Sequence, residues 1–338
     1  MRQFSQLCFS LLLLLNISSV YADAALAQRK DVQLFMDSMV KQHHFDKKQL
    51  TAILSEAQFQ PKIIESMERP FEKKTWDIYK DLFLTSQRVQ AGLVFWHDNQ
   101  KALEQAQKQF GVPANIIVAI LGVETLYGKN QGNYRVLDAL TTLAFDYPKR
   151  SEFFTKELKE YLLLCREHGV PATKYMGSYA GAMGKPQFMP SSYRFYAVNF
   201  AGSGKVDLMS EDRDVISSVA NYFHQHGWAL NDAVAQPAIV RGARYRQLNP
   251  NNKFPAYSLK HLISSGVRPV SSLPNHPNKA GVIELMTQQG EEYWVAYPNF
   301  YVITRYNSSP QYALVVYLLA QQLGTQWASS QQTGHAQA

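Results

Sequence analysis

The chain has 338 residues, 46% of them hydrophobic and 18% charged, a composition that supports a packed core and excludes wholesale disorder. Its 34 Lys and Arg against 27 Asp and Glu give a net charge of +7, which favours acidic partners. The basic residues are scattered, with no run of five, so the clustered patch expected of a nucleic-acid binder is missing.

Residues 1 to 22 read as a signal peptide. Arg2 supplies the positive start, Phe9 to Leu15 a short apolar stretch, and Val20-Tyr21-Ala22 a cleavage site after Ala22, with Ala24 as an alternative. The apolar stretch is shorter than the roughly 20 residues a membrane helix needs, and no other segment is long enough, so no transmembrane anchor is expected. Cys8 precedes the apolar stretch instead of closing it, which does not suit a lipid-attachment cysteine. Cys165, after Leu162-Leu163-Leu164, reads as a buried small hydrophobe, leaving the mature chain without a disulfide.

The first half then reads as helices. Val32, Phe35, Met36, Met39 and Val40 keep a helical period, as do Leu50, Ile53, Leu54 and Ala57. Residues 86 to 110 form another, with Val89, Leu93 and Trp96 on one face and Gly111-Val112-Pro113 as its stop. A helix from Pro113 to Tyr127, closed by Gly128, is apolar on nearly every side, as a central helix would be. Further helices are expected at 151 to 166 and 213 to 228. From about 235 the pattern changes: Val282 to Met286, Tyr293 to Tyr297 and Tyr301 to Arg305 read as strands. A last helix opens at Ser309-Pro310 and is expected to end at Gly324, with a frayed polar tail over 328–338. The fold class is mainly α (α+β), in one catalytic unit over 23–327: a helical part at about 23–110, a core at 111–234, a small β part at 235–306 and a closing helix at 309–324.

Glu124 is out of place in its apolar helix. Burying an ionised carboxylate without a partner is costly, so such a group tends to keep its proton, as a general acid near neutral pH must. A Glu at a helix end that pairs with Lys129 or faces water is the competing reading. Asp138 and Asp146 read as loop or capping residues.

The surroundings of Glu124 go further. Gly122-Val123-Glu124-Thr125-Leu126-Tyr127-Gly128 resembles the catalytic-helix motif of lysozyme-like lytic transglycosylases. Leu137 to Phe145, Tyr147-Pro148-Lys149-Arg150, Gly177 to Gly184, Gln187 to Tyr193, Val219 to Phe223 and Asn299 to Asn307 follow in order. Together they resemble the membrane-bound lytic murein transglycosylase B family over most of the mature chain. That resemblance implies a lysozyme-like core and a periplasmic enzyme that cleaves the bond from N-acetylmuramic acid to N-acetylglucosamine in peptidoglycan without water, leaving a 1,6-anhydro end. It makes Glu124 acid and then base, with the substrate's N-acetyl group standing in for the second carboxylate that most glycosidases carry. It also implies that Ser178 orients Glu124 or the N-acetyl group, against a hydroxyl making a local turn bond. Gln187, Phe188, Tyr222, Asn299, Tyr301, Arg305 and Tyr306 would line the sugar groove, against plain core packing for the tyrosines. Lys149 and Arg150 would meet acidic groups of muramic acid, against a solvated pair, and Tyr79 is a weaker candidate.

The family carries a calcium loop like an EF-hand. Here the matching stretch, Asn199 to Asp207, keeps the turn glycine Gly204 but places Asn199, Ala201 and Ser203 where strong oxygen donors belong, and Lys205 follows. The loop is expected to persist without useful calcium affinity, and no cofactor is required. Gly202-Ser203-Gly204-Lys205 lacks the spacing of a phosphate loop, and His224 and His226 lie two apart, unsuited to zinc. Peptidoglycan is the expected partner, nucleic acid is not, and recruitment by cell-wall synthesis or remodelling proteins is left open. A muramidase using water, and a wall-binding scaffold without activity, are the alternatives.

Overall fold

The helix Ala114–Thr125 begins after Pro113, whose extended backbone ends the preceding loop. In the computed structural model, which describes residues 26–68, 74–200, 202, 204–272 and 278–335, every residue of this helix is buried except Asn115 and Glu124. The signal-peptide reading of residues 1 to 22 lies outside the described residues. Among the described residues no helix is long and apolar enough to cross a membrane.

Contacts divide the chain into two compact units. The first holds residues up to Glu68, Gly132–Met183 and Phe188–Arg194; the second holds Arg69–Gln131, Gly184–Gln187 and the chain from Phe195 on.

In the first unit, Lys30–His43 and Lys47–Ser55 pack against each other, the second capped by Asp46, whose side chain accepts from Gln49 N. Val136–Asp146 and Ser151–His168, joined by the turn Pro148–Arg150, pack against each other. Asp138 binds Arg135 through both oxygens at 2.8 Å and accepts from Gln58 N at 2.9 Å, and Asp146 pairs with Arg29 at 2.6 Å. Both acids therefore hold the scaffold, from the first turn and the last residue of a helix and not from the loop or capping positions expected of them. Cys165 is buried, and burial pushes its thiol up to about 12, out of the reactive range.

In the second unit, Ala114–Thr125 is surrounded by Ser86–Asp98, Gln100–Phe110, Asp212–Gln225 and Pro310–His335. This explains its all-round apolar character, because each face meets another helix. The expected helix over 86–110 is broken at Asn99, whose side chain donates to Phe95 O at 3.0 Å and competes with the helical ladder. A four-stranded antiparallel sheet has the order Val267–Pro269, Ala235–Val240, Gly290–Ala296, Gly281–Thr287. The last two answer to the strands expected from Val282 to Met286 and from Tyr293 to Tyr297, and they pair as a hairpin.

Two expectations fail here for physical reasons. Tyr301 to Arg305 lies in a helix, Pro298–Tyr306, and not in a strand. Pro298 sets the first helical position, and five consecutive residues from Asn299 to Ile303 are buried, which the alternation of a half-buried strand cannot produce. The closing helix does not end at Gly324 but runs to His335. Gly324 sits beside the Asn115 side chain, and one turn further Trp327 stacks on Trp96 with centroids 4.9 Å apart, so burial rewards another turn of helix. Residues 328–335 of the expected tail are helical, and 336–338 lie outside the described residues.

Candidate active site

Glu124 stands in the last turn of Ala114–Thr125, half-buried, at the end where free carbonyls gather. Oε1 of Glu124 accepts a short hydrogen bond from the hydroxyl of Tyr312, in the first turn of Pro310–His335. Tyr312 is buried, and burial followed by the nearby charge of Glu124 holds its hydroxyl well above the usual tyrosine range. Tyr306 is raised for the same two reasons. Both phenols therefore keep their protons at any ordinary pH and act on Glu124 as neutral groups. Tyr79, stacked on Trp76 at 6.5 Å and against Phe83 at 5.1 Å, also acts electrostatically on Tyr312.

The backbone beyond Glu124 turns sharply. Leu126 and Tyr127, neither of them glycine, have φ of 51° and 59°, so the left-handed cap starts two residues before Gly128, the expected closing glycine. Left-handed backbone costs roughly 1 kcal/mol or more per such residue and persists only where its surroundings impose it. The surroundings are visible. Tyr127 N donates to Leu121 O at 3.0 Å, and the Tyr127 hydroxyl donates to Arg88 O at 2.9 Å. Its ring fills the space above two glycines: a Cβ on Gly122 would lie 2.5 Å from Tyr127 Oη, and one on Gly92 would lie 2.3 Å from it. Arg88 in turn donates to Gly122 O at 3.0 Å and to Leu82 O and Phe83 O. Thr125 Oγ1 accepts from Gly128 N at 2.9 Å and donates to Lys185 O at 2.7 Å. The residue after the acid is thus a clamp.

Lys185 belongs to a short segment, Gly184–Gln187, that lies against this turn. Gln187 has a left-handed φ of 52°, and its amide nitrogen donates to Gln131 O and Gly184 O at 3.0 and 2.9 Å. Tyr306 donates to Pro186 O at 2.5 Å. Tyr222 packs edge-on against Tyr306 with centroids 5.0 Å apart and donates to Arg305 O at 2.6 Å. The second unit therefore brings Glu124, Gln187, Tyr222, Tyr306, Tyr79 and the unexpected Tyr312 into one neighbourhood.

Other candidates are placed differently. Asn299 is enclosed; its amide oxygen accepts from Ala229 N and its nitrogen donates to Ala229 O and Asp232 O, so it secures the 229–232 loop. Tyr301 points its hydroxyl at Gly281 in the sheet, where a Cβ would lie 1.9 Å away. Arg305 is exposed. In the first unit, Phe188 is 2% exposed and exchanges backbone bonds with Met183, leaving no ring face for a sugar. Ser178 Oγ accepts from Ala180 N and Ala182 N at 3.2 and 3.1 Å, the local turn bond weighed against a site role, although its hydroxyl proton is still available to an acceptor. Lys149 pairs with Glu68 at 2.7 Å, and Arg150 lies over Phe153 and Phe154 at 4.4 and 5.0 Å; both are exposed.

In the loop from Asn199 to Asp214, Ala201 and Ser203 lie outside the described residues. Both oxygens of buried Asp214 accept backbone N–H groups, from Phe200 at 2.8 Å and Asp207 at 3.0 Å. Asn199 accepts from Gly202 N at 2.9 Å and donates to Gly204 O at 2.5 Å. Asp207 is held by Met209 N, Ser210 N and the Ser210 hydroxyl. Among the described residues, the side chains of Asn199, Asp207 and Asp214 are thus engaged by the loop's own N–H, hydroxyl and carbonyl groups.

Residues 27–321 match the model of the transglycosylase SLT domain. This chain belongs to the SLT transglycosylase family. Membrane-bound lytic murein transglycosylase B of Escherichia coli (strain K12) is 41% identical over 305 residues, covering 87% of this chain and 83% of that protein. The structure of the Escherichia coli lytic transglycosylase Slt35 in complex with calcium is similar, with 42% identity, 89% of this chain and 95% of that one covered and a TM-score of 0.80. Pseudomonas aeruginosa SltB3 in complex with NAG-NAM-pentapeptide matches at 28% identity, 86% and 79% coverage and a TM-score of 0.75. The family, and the mainly helical lysozyme-like class, are those expected from the ordered sequence blocks. The chain is an enzyme of the lytic transglycosylase kind.

Tyr312 was missed in the sequence because it reads as the first core residue of an apolar helix. The available signal was a phenol in such a position, since a buried hydroxyl needs a partner.

Proposed function

We propose that this enzyme cleaves peptidoglycan glycan strands between N-acetylmuramic acid and N-acetylglucosamine without water, and that Glu124 is its acid and then its base. Protonated Glu124 gives its proton to the glycosidic oxygen as the bond from that oxygen to C1 breaks. The N-acetyl oxygen of the same sugar supports C1. The Glu124 carboxylate then takes the proton of the C6 hydroxyl as O6 bonds to C1. The proton count closes on Glu124, and a 1,6-anhydro ring leaves with the product.

The observation that carries this reading is the hydrogen bond from Tyr312 to Glu124 at the end of the central helix. A residue that serves as acid and base must stay in place in both states. A neutral phenol can donate to the carboxylate and can accept from the carboxylic acid. Tyr306 and the Gly184–Gln187 segment line the same neighbourhood, where the Gln187 amide, both of whose N–H groups go to backbone carbonyls, keeps its oxygen as an acceptor for sugar hydroxyls. Peptidoglycan as substrate is supported by the names of the relatives, one of them solved with a NAG-NAM-pentapeptide.

The reading places the enzyme in the periplasm after removal of residues 1 to 22, and it runs without calcium, since Asp214 and Asn199 are occupied by the loop itself. Digestion of purified sacculi by wild type and Glu124→Gln, with product masses, tests it. Anhydro products from wild type and loss of activity by orders of magnitude in the variant are expected.

A further inference from the structure

The excess positive charge of this chain has an address. Between residues 233 and 283 there is no Asp or Glu, while Arg241, Arg244, Arg246, Lys253, Lys260, Arg268 and Lys279 fall there. Without these seven, the 34 Lys and Arg drop to 27, equal to the 27 Asp and Glu. The net +7 therefore sits on the segment that supplies two strands of the sheet and the excursion between them. All seven side chains are exposed, and among the described residues none is in an ion pair. Ordinary surfaces intersperse the two signs.

The sheet register shows what accompanies part of this charge. Ile239 is opposite Arg268, and Val270 N donates to Pro237 O at 2.9 Å. Alternation puts Pro237, Ile239 and Arg241 on one face with Arg268 and Val270. Ile239 is 54% exposed and Val270 61%. On the same face, Trp294 is opposite Pro237 and Ile283 is opposite Trp294, yet both Trp294 and Ile283 are buried. That half is next to the helix Trp76–Phe83, which packs on Gly281–Thr287 and whose Trp76 Nε1 donates to Glu292 at 3.1 Å. The other face is covered by Tyr245, Leu248 and Leu262. One half-face of the sheet is thus left open, with aliphatic side chains level with arginines.

We propose that this open half-face docks on an anionic phospholipid membrane surface. Cations alone would suit any polyanion. Aliphatic side chains among them suit the boundary between headgroups and acyl chains, where apolar burial and charge attraction add. A sugar polymer would ask for exposed aromatic rings on which to stack, and the aromatic that the described strands put on this face, Trp294, is buried. An added β-strand is a poor occupant, because the edge strand Val267–Pro269 is three residues long and Pro269 has no N–H to offer.

The test is co-sedimentation of the protein from Asp23 onward with vesicles of equal parts phosphatidylglycerol and phosphatidylcholine, or of phosphatidylcholine alone. Removing residues 1 to 22 removes the apolar leader. Two double variants are compared, Arg241→Glu with Arg268→Glu, and Ile239→Ser with Val270→Ser. All four side chains face solvent, and unchanged melting confirms the fold of each. Wild type should bind the anionic vesicles only and be released by salt. The arginine variant should bind more than about tenfold more weakly, given the size of the attraction per cation at such a surface, and the aliphatic variant should bind clearly more weakly because it loses the apolar burial. Absence of wild-type binding to the anionic vesicles overturns the proposal. So does full binding by the Ile239→Ser, Val270→Ser variant, which would mark a plain polyanion surface.

Discussion

The Tyr312 hydroxyl donates to Oε1 of Glu124 across 188 residues of sequence, joining the first turn of one helix to the last turn of another. If this bond positions the acid, Tyr312→Phe removes it while keeping the ring. A drop in kcat of about tenfold to a hundredfold is expected, with a much smaller change in KM, because in the proposed mechanism Glu124 serves the reaction more than the binding. Steady-state kinetics on soluble glycan fragments measure the split. A change confined to KM would assign Tyr312 to the sugar instead.

The clamp beyond Glu124 predicts a stability effect. Gly122→Ala puts a Cβ 2.5 Å from Tyr127 Oη and 2.8 Å from Cζ, so the ring must shift. A loss of about 1–3 kcal/mol is expected from such overpacking. Adding Tyr127→Phe removes the nearer atom and should restore part of that loss in a denaturant titration. Strict additivity of the two losses would show that the ring and the glycine do not meet in solution.

Glu157 predicts a pH effect in the first unit. Burial raises its carboxyl above the usual range, and hydrogen bonds from Ser191 N and Oγ offset this only in part. The folded state then holds the proton more tightly than the unfolded chain. The resulting stabilisation is complete below the ordinary value of 4.5 and is lost as pH rises from there through the folded value. Melting temperatures of wild type and Glu157→Gln should therefore diverge, the wild type losing ground relative to the variant as pH rises over that window. A constant difference would contradict the burial argument.

The self-closed loop predicts indifference to calcium. Asp214 already accepts two backbone N–H groups, so adding calcium or a chelator should leave the melting temperature unchanged. Asp214→Ala should destabilise in either condition, because two part-buried N–H groups lose their acceptor, at about 1–3 kcal/mol. A clear upward shift with calcium would mean that the loop opens to take the ion.

What could be read from the chain divides along a physical line. Ala114–Thr125 was legible because composition alone marks a helix buried on all sides, and Glu124 stood out against it. The ordered blocks identified the family and placed Gln187, Tyr222 and Tyr306 near the acid. They could not say which side of a helix each residue takes, so Asn299 and Tyr301 were expected in the groove and lie in the scaffold. Tyr301 to Arg305 looked like a strand because aromatic and β-branched residues favour one, and a single proline overruled them. Gly324 looked like a stop because the Trp96–Trp327 stack that continues the helix joins distant residues. Tyr312 was hidden for the same reason. The cationic segment was overlooked because its signal is an absence of acids over many residues, not a run of bases.

The central claim is that Glu124 moves one proton out and back without admitting water. Product analysis of purified sacculi, wild type beside Glu124→Gln, tests this most directly. The account predicts 1,6-anhydro ends, lighter than the hydrolysed ends by one water, from wild type and almost no release from the variant. Hydrated reducing ends from wild type, or undiminished release by Glu124→Gln, would contradict it.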